Sequence, residues 1–188
     1  MEFIPERLYH VYNRGNNRQA IFFSYGNYLF FLRKIRQHLL PCCDLLAYCL
    51  MPNHFHLLLE TKPDAQEKTL NAGFQTLLSS YTQAVNKQER RTGSLFQQHT
   101  KAKNLESADA AYATTCFHYI HQNPMKAGLV HRMENWEFSS FKDYCGLRKG
   151  TLCHQSKAFG LLHLPPTGEA FYEQAYQALP PEWIEAIF

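Results

Sequence analysis

Ala47-Tyr48-Cys49-Leu50-Met51-Pro52-Asn53-His54-Phe55-His56-Leu57-Leu58-Leu59-Glu60 reads as two apolar strands joined by a tight turn at Met51-Pro52-Asn53. The turn is too short for a crossover, so the strands are antiparallel neighbours. Side chains on a strand alternate between faces, so His54 and His56 project together while Phe55 points the other way. Two imidazoles side by side on a rigid strand are half of a metal site.

Outward from this hairpin, Leu8–Arg14 is rich in β-formers and predicts a first strand. The loop Asn13-Arg14-Gly15-Asn16-Asn17-Arg18 follows it. Ser24 caps a helix running to about His38, with Leu29, Phe30, Leu32, Ile35 and Leu39 as its apolar face, and Pro41 ends it. The second strand spans about Asp44–Leu50 and the third about His54–Thr61. Leu70–Arg91 has helical spacing at Phe74, Leu77, Leu78, Tyr81 and Val85, closed by Gly93. Ser94–Gln98 and Thr100–Leu105 form a fourth extended piece. Ser107 opens a helix over Ala108–Gln122. At Asn123-Pro124 the helix is expected to end, because proline disfavours helical geometry in the residue before it. A hairpin inside an alternation of helices and strands predicts an α+β fold, an antiparallel sheet with helices packed on it.

The chain of 188 residues suits one substantial core, and 45% apolar with 19% charged residues is a globular composition. No apolar run is long enough to cross a bilayer, and the N-terminus has no signal-peptide pattern. The six cysteines form no C-x-x-C pair, so free thiols and a reducing cytoplasm are expected. Residues 1–157 hold all 19 Lys/Arg and 12 acids, a balance of +7, whereas 158–188 hold four glutamates and no Lys or Arg. A basic body suits a polyanionic partner. The acidic tail is read first as a solvated helix, with a flap over the basic groove as the alternative. Leu164–Gly168 reads as a linker, Glu169–Leu179 as a short helix and Pro180–Ile184 as an aromatic anchor. Residues 1–150 are thus expected to form the functional domain and 151–188 a C-terminal extension.

Two histidines hold a metal weakly, and a third donor is available on the last long helix. Tyr119 and Asn123 are four residues apart and share a face. If that face lies over the sheet, the Asn123 amide oxygen joins His54 and His56, and the Tyr119 hydroxyl sits one turn away. These donors are neutral, so a divalent ion keeps its charge for polarising a phosphate. A tyrosine hydroxyl aligned with a DNA phosphorus beside such an ion gives a phosphotyrosine. The phosphoester is conserved, which agrees with the absence of a nucleotide-binding phosphate loop. Each residue also has a plainer reading: strand histidines as packing, Tyr119 as a core aromatic, and Asn123 as a cap for a turn beginning at Pro124. His118 and His121 fall on other faces. Arg14, Arg18, Lys101 and Lys103 are DNA-backbone candidates.

Four ordered motifs carry a resemblance. Tyr9-His10-Val11 with Asn13-Arg14-Gly15-Asn16, Met51–Leu58, Gly93–Gln97 and Tyr119–Leu129 together resemble the REP-associated tyrosine transposases, within the His-hydrophobic-His (HUH) single-tyrosine superfamily. The resemblance covers roughly residues 8–145. It implies a ferredoxin-like or RRM-like fold and Mg²⁺- or Mn²⁺-dependent nicking and joining of single-stranded or hairpin DNA. It also implies Tyr119 as nucleophile, His54 and His56 as metal ligands, and Asn123 as the third ligand, in a monomer or homodimer. The rival readings are a non-catalytic binder of structured nucleic acid on the same fold, and a hydrolase in which the metal activates water.

Overall fold

The computed structural model describes residues 1–105, 110–166, 168–177 and 179–180. Four strands, β1 (Leu8–Arg14), β2 (Cys43–Met51), β3 (His54–Thr61) and β4 (Lys101–Asn104), form one antiparallel sheet in the order β2-β3-β1-β4. Helix α1 (Tyr25–His38) links β1 to β2, and α2 (Glu67–Gln88) links β3 to β4. This is the α+β, ferredoxin-like arrangement expected. The hairpin is tighter than expected: Met51 pairs directly with His54, leaving only Pro52-Asn53 as the loop.

Helices α1 and α2 cover one face of the sheet. Asn27 accepts hydrogen bonds from the Ser24 and Phe23 backbone N–H groups, so Ser24 stands at the helix start as expected. Phe31 of α1 packs on Phe55 of β3 (centroids 5.2 Å apart) and edge-on against Tyr81 of α2 (5.0 Å). The two helices meet closely where a side chain at Gly73 would place a Cβ 2.3 Å from the His38 carbonyl oxygen, so only glycine fits. Helix α2 starts at Glu67, three residues before the expected Leu70. Its first turn is polar and carries no apolar periodicity to read. It ends at Gln88 rather than Arg91, because Arg90 adopts a left-handed φ of 50°. The expected extension over Ser94–Gln98 reduces to a single bridge between Phe96 and Gly15.

The other face of the sheet meets α3 (Ala110–Lys126). Contrary to expectation, α3 does not stop at Asn123 but continues through Pro124. The missing proline N–H removes one bond near the helix end. Ala127 N–H still bonds the Asn123 carbonyl (2.9 Å), Leu129 N–H bonds the Pro124 carbonyl (3.0 Å), and Gly128 (φ 69°) supplies the left-handed cap. Beyond α3, residues 138–140 run beside β2 through Leu50 N–H to Phe138 O and Ser140 N–H to Tyr48 O. Three short helices follow: α4 (Phe141–Tyr144), α5 (Gln155–Leu161) and α6 (Gly168–Ala175). Leu164–Pro166 connect α5 to α6, and Phe171 of α6 is fully buried against Phe117 of α3 and Tyr144 of α4. All six cysteines are free thiols. Among the described residues no helix is long and apolar enough to cross a membrane. Pro181–Ile184, most of the expected aromatic anchor, lie outside the described residues, as does the expected helix start at Ser107.

Candidate active site

Strand pairing decides which side chains share the α3 face of the sheet. Tyr12 lies opposite His56 and Arg14 opposite His54, while Lys101 and Lys103 of β4 lie opposite Tyr12 and His10. Directly paired residues point to the same side, so His10, Tyr12, Arg14, His54, His56, Lys101 and Lys103 form one surface. Over it, Tyr112, Cys116, Tyr119 and Asn123 recur at i, i+4, i+7 and i+11 along α3, a single helical stripe.

The four residues singled out for chemistry converge. The Tyr119 ring stands perpendicular to that of His56, with centroids 5.9 Å apart, and the His54 and His56 rings are 5.0 Å apart. The Asn123 amide faces both the His54 ring, where it favours the protonated form, and the Tyr119 hydroxyl, where it favours ionisation. Within the sheet and its hairpin turn, Nδ1 of His54 contacts Asn53 Oδ1 (2.6 Å), and Nδ1 of His56 contacts His10 Nε2 (2.9 Å). Each imidazole therefore has its Nδ1 engaged, His54 by the hairpin turn and His56 by β1, and Nε2 is the nitrogen that would serve a ligand.

Burial sets the charge of the site. It is the main cause lowering His54 to about 4, with the Arg14 cation second; burial also drives His56 well below its usual range, helped by His10 and His54. Both rings are neutral at pH 7, the state in which an imidazole donates a lone pair. Burial pushes the Tyr119 phenol up to about 12, opposed by Asn123 and Arg14. Unaided, it is a protonated hydroxyl and a weak nucleophile.

The basic candidates are arranged around this centre. Arg14 acts on both histidines and on Tyr119 through its charge. Arg18 is exposed, and its carbonyl oxygen accepts a hydrogen bond from Asn53 Nδ2 (3.2 Å), which ties its loop to the hairpin turn. Lys101 is exposed on the edge strand, and the Lys103 ammonium lies 5.3 Å from the Tyr112 ring centroid.

Two neighbours escaped the sequence reading. Lys126 places its ammonium 5.7 Å from the Tyr119 ring centroid. It is i+7 from Tyr119, a signal hidden by ending the helix at Pro124. His10 is the other; its alternation with Tyr12 and Arg14 was readable, but its approach to His56 depends on the β1–β3 register. On the opposite side of α3, Thr114 Oγ1 donates to Leu162 O (3.0 Å), and His118 Nε2 meets Gln174 Oε1 (3.1 Å). There too, His121 Nε2 meets Ser140 Oγ (2.7 Å), and Gln122 Nε2 donates to Ala175 O (2.8 Å). His118 and His121 thus fasten the helix from behind. Glu169 and Glu173 are exposed on α6, on that same rear side.

The IS200-like transposase family model matches residues 5–123, more than half of the chain and every one of the four converging side chains. The chain belongs to the IS200-like transposase family. A solved REP-associated tyrosine transposase, bound to a REP hairpin, has the same fold at 18% identity, with a TM-score of 0.62 over 79% of this chain and 86% of that one. The resemblance drawn from the four motifs and the HUH transposase fold it implied are therefore both met. No curated protein matches this IS200-like transposase in sequence.

Proposed function

We propose that this transposase-family protein nicks and rejoins single-stranded DNA beside a hairpin, with Tyr119 as the covalent nucleophile. The observation that carries the reading is the meeting of Tyr119 with His56 at 5.9 Å, with Asn123 facing both Tyr119 and His54. The donor chemistry fits a divalent cation such as Mg²⁺ or Mn²⁺: two imidazoles kept neutral by burial and an amide on the facing helix. Asn123 is buried on the facing helix, and its Nδ2 has no hydrogen-bond partner there. Among the described residues no three His, Cys, Asp or Glu side chains cluster as a metal site, and the Asn123 amide is the third donor this reading calls on.

When bound by His54, His56 and Asn123, the cation supplies Lewis-acid polarisation of the scissile phosphate. The protein's own groups do the rest. Arg14, Arg18, Lys101 and Lys103 attract and place the DNA backbone, with Tyr12 as a neighbouring aromatic face. Tyr119 Oη bonds to phosphorus as one phosphoester bond to the DNA breaks. The phenol gives up its proton and the departing oxygen gains one. The new phosphotyrosine ester retains the energy of the bond broken, and reversal with a second strand end joins DNA without a nucleotide cofactor.

The test is a labelled single strand containing a hairpin, incubated with the protein and Mg²⁺ or Mn²⁺. Wild type forms a denaturation-resistant protein–DNA adduct, and Tyr119→Phe binds but forms none. An adduct that persists in Tyr119→Phe refutes the assignment. Cleavage without a linked product supports water as the nucleophile. Binding without cleavage supports a regulator on the same fold.

A further inference from the structure

His10 lies on β1, diagonal to His56 across the strand pair, and is fully buried. Its Nε2 is 2.9 Å from His56 Nδ1, and the two ring planes are within 16° of each other, an arrangement that accommodates an in-plane N–H···N bond. Tyr12 stacks on His10 at 4.8 Å between centroids, with planes 27° apart. An imidazole joined to its neighbour in this way can have its proton on only one of the two facing nitrogens. A lone pair on His56 Nε2 requires the His56 proton on Nδ1, which then donates to His10 Nε2.

We propose that His10 is a positioning residue that holds His56 in the Nδ1–H tautomer and aims its Nε2 at the cation and at Tyr119. This rests on the reading that His56 is a metal ligand. A ligand imidazole left to rotate, or held as the other tautomer, loses its lone pair to the cation. A partner on the far nitrogen prevents both, and removing such partners weakens metal affinity by roughly 10–100-fold. A buried histidine kept only for volume would need no hydrogen-bond geometry toward a second histidine. Here the contact distance and the near-parallel rings establish the His10–His56 bond, and the lone pair that a ligand needs on His56 Nε2 sets its direction.

The experiment measures binding of Mn²⁺ alone, by calorimetry and electron paramagnetic resonance, to wild type, His56→Ala, His10→Gln and His10→Asn. Glutamine reaches the place of the imidazole Nε2 and asparagine falls short of it. His56→Ala loses binding, His10→Asn weakens it by ~10–100-fold, and His10→Gln stays within about threefold of wild type. His10→Asn binding as tightly as wild type, or His10→Gln as weakly as His10→Asn, overturns the role of His10 while leaving the metal site standing. Wild type binding no better than His56→Ala overturns the metal reading itself. A second measurement needs no variant: nitrogen-15 NMR of metal-free wild type reports the tautomer of His56. Nδ1–H is the expected result, and Nε2–H overturns the proposal.

Discussion

His118, on the rear of α3 and next in sequence to Tyr119, gives the stability of this fold a defined acid limb. It is 3% exposed, its Nε2 meets Gln174 Oε1, and burial lowers it to about 4. Unfolded, it returns to a value near 6.5. Between these values the unfolded chain binds more protons, so stability rises with pH there. The contribution is nearly complete above about pH 7 and is lost as pH falls from about 6.5 towards 4. Worked through, the two values give a loss of about 2 kcal/mol from this one side chain between pH 7 and pH 5. His54, His56 and His121 are lowered by burial too, so the wild-type loss is larger and in the same direction. The assay is urea unfolding of wild type and His118→Gln at both pH values. The wild type should lose about 2 kcal/mol more than the variant on acidification. Equal losses would refute the argument, because the protonation of His118 would then cost the folded state nothing.

Three further outcomes are expected. Phe171→Ala opens a cavity between α6, α3 and α4 and should cost about 3–5 kcal/mol, read as a lowered urea midpoint. Gly73→Ala forces a methyl group onto the His38 carbonyl and should destabilise by about 1–3 kcal/mol, against the usual gain from replacing a helical glycine. Lys101→Ala with Lys103→Ala should weaken binding to single-stranded DNA of any sequence and shrink the log–log salt slope by about 1.4, measured by fluorescence anisotropy; an unchanged slope would remove β4 from the DNA path.

The parts of the fold that could be read were those whose pattern is local. The β-former content of β1 and the apolar run of β3 placed both strands, and Ser24 located the start of α1, but the α1 core face was misread: Leu29 is exposed, whereas Tyr28 and Phe31 are buried with Ile35. Tyr119 and Asn123 could be assigned to one face because four residues span about one helical turn. Pro124 misled because the penalty of a proline is local, whereas the bonds from Ala127 and Leu129 and the cap at Gly128 that offset it come later in the chain. His118 and His121 were set aside, and Gln122 passed over, for a different reason. Their partners are Gln174, Ser140 and the Ala175 carbonyl, distant in sequence, and nothing in helical spacing announces them. The contact between His10 and His56 is of the same kind, since it needs two strands 46 residues apart to pair in one register.

The fastening of α3 from behind has a consequence for synthesis. The hairpin with His54 and His56 leaves the ribosome early, and the phenol of Tyr119 much later. The groups that bolt its helix down, at Ser140, Leu162, Gln174 and Ala175, come later still. A nascent or clipped chain that exposes the histidines and a loose tyrosine helix lacks the clamp that brings them together. Seating of α3 on the sheet is thereby deferred until the segment through Ala175 has been made.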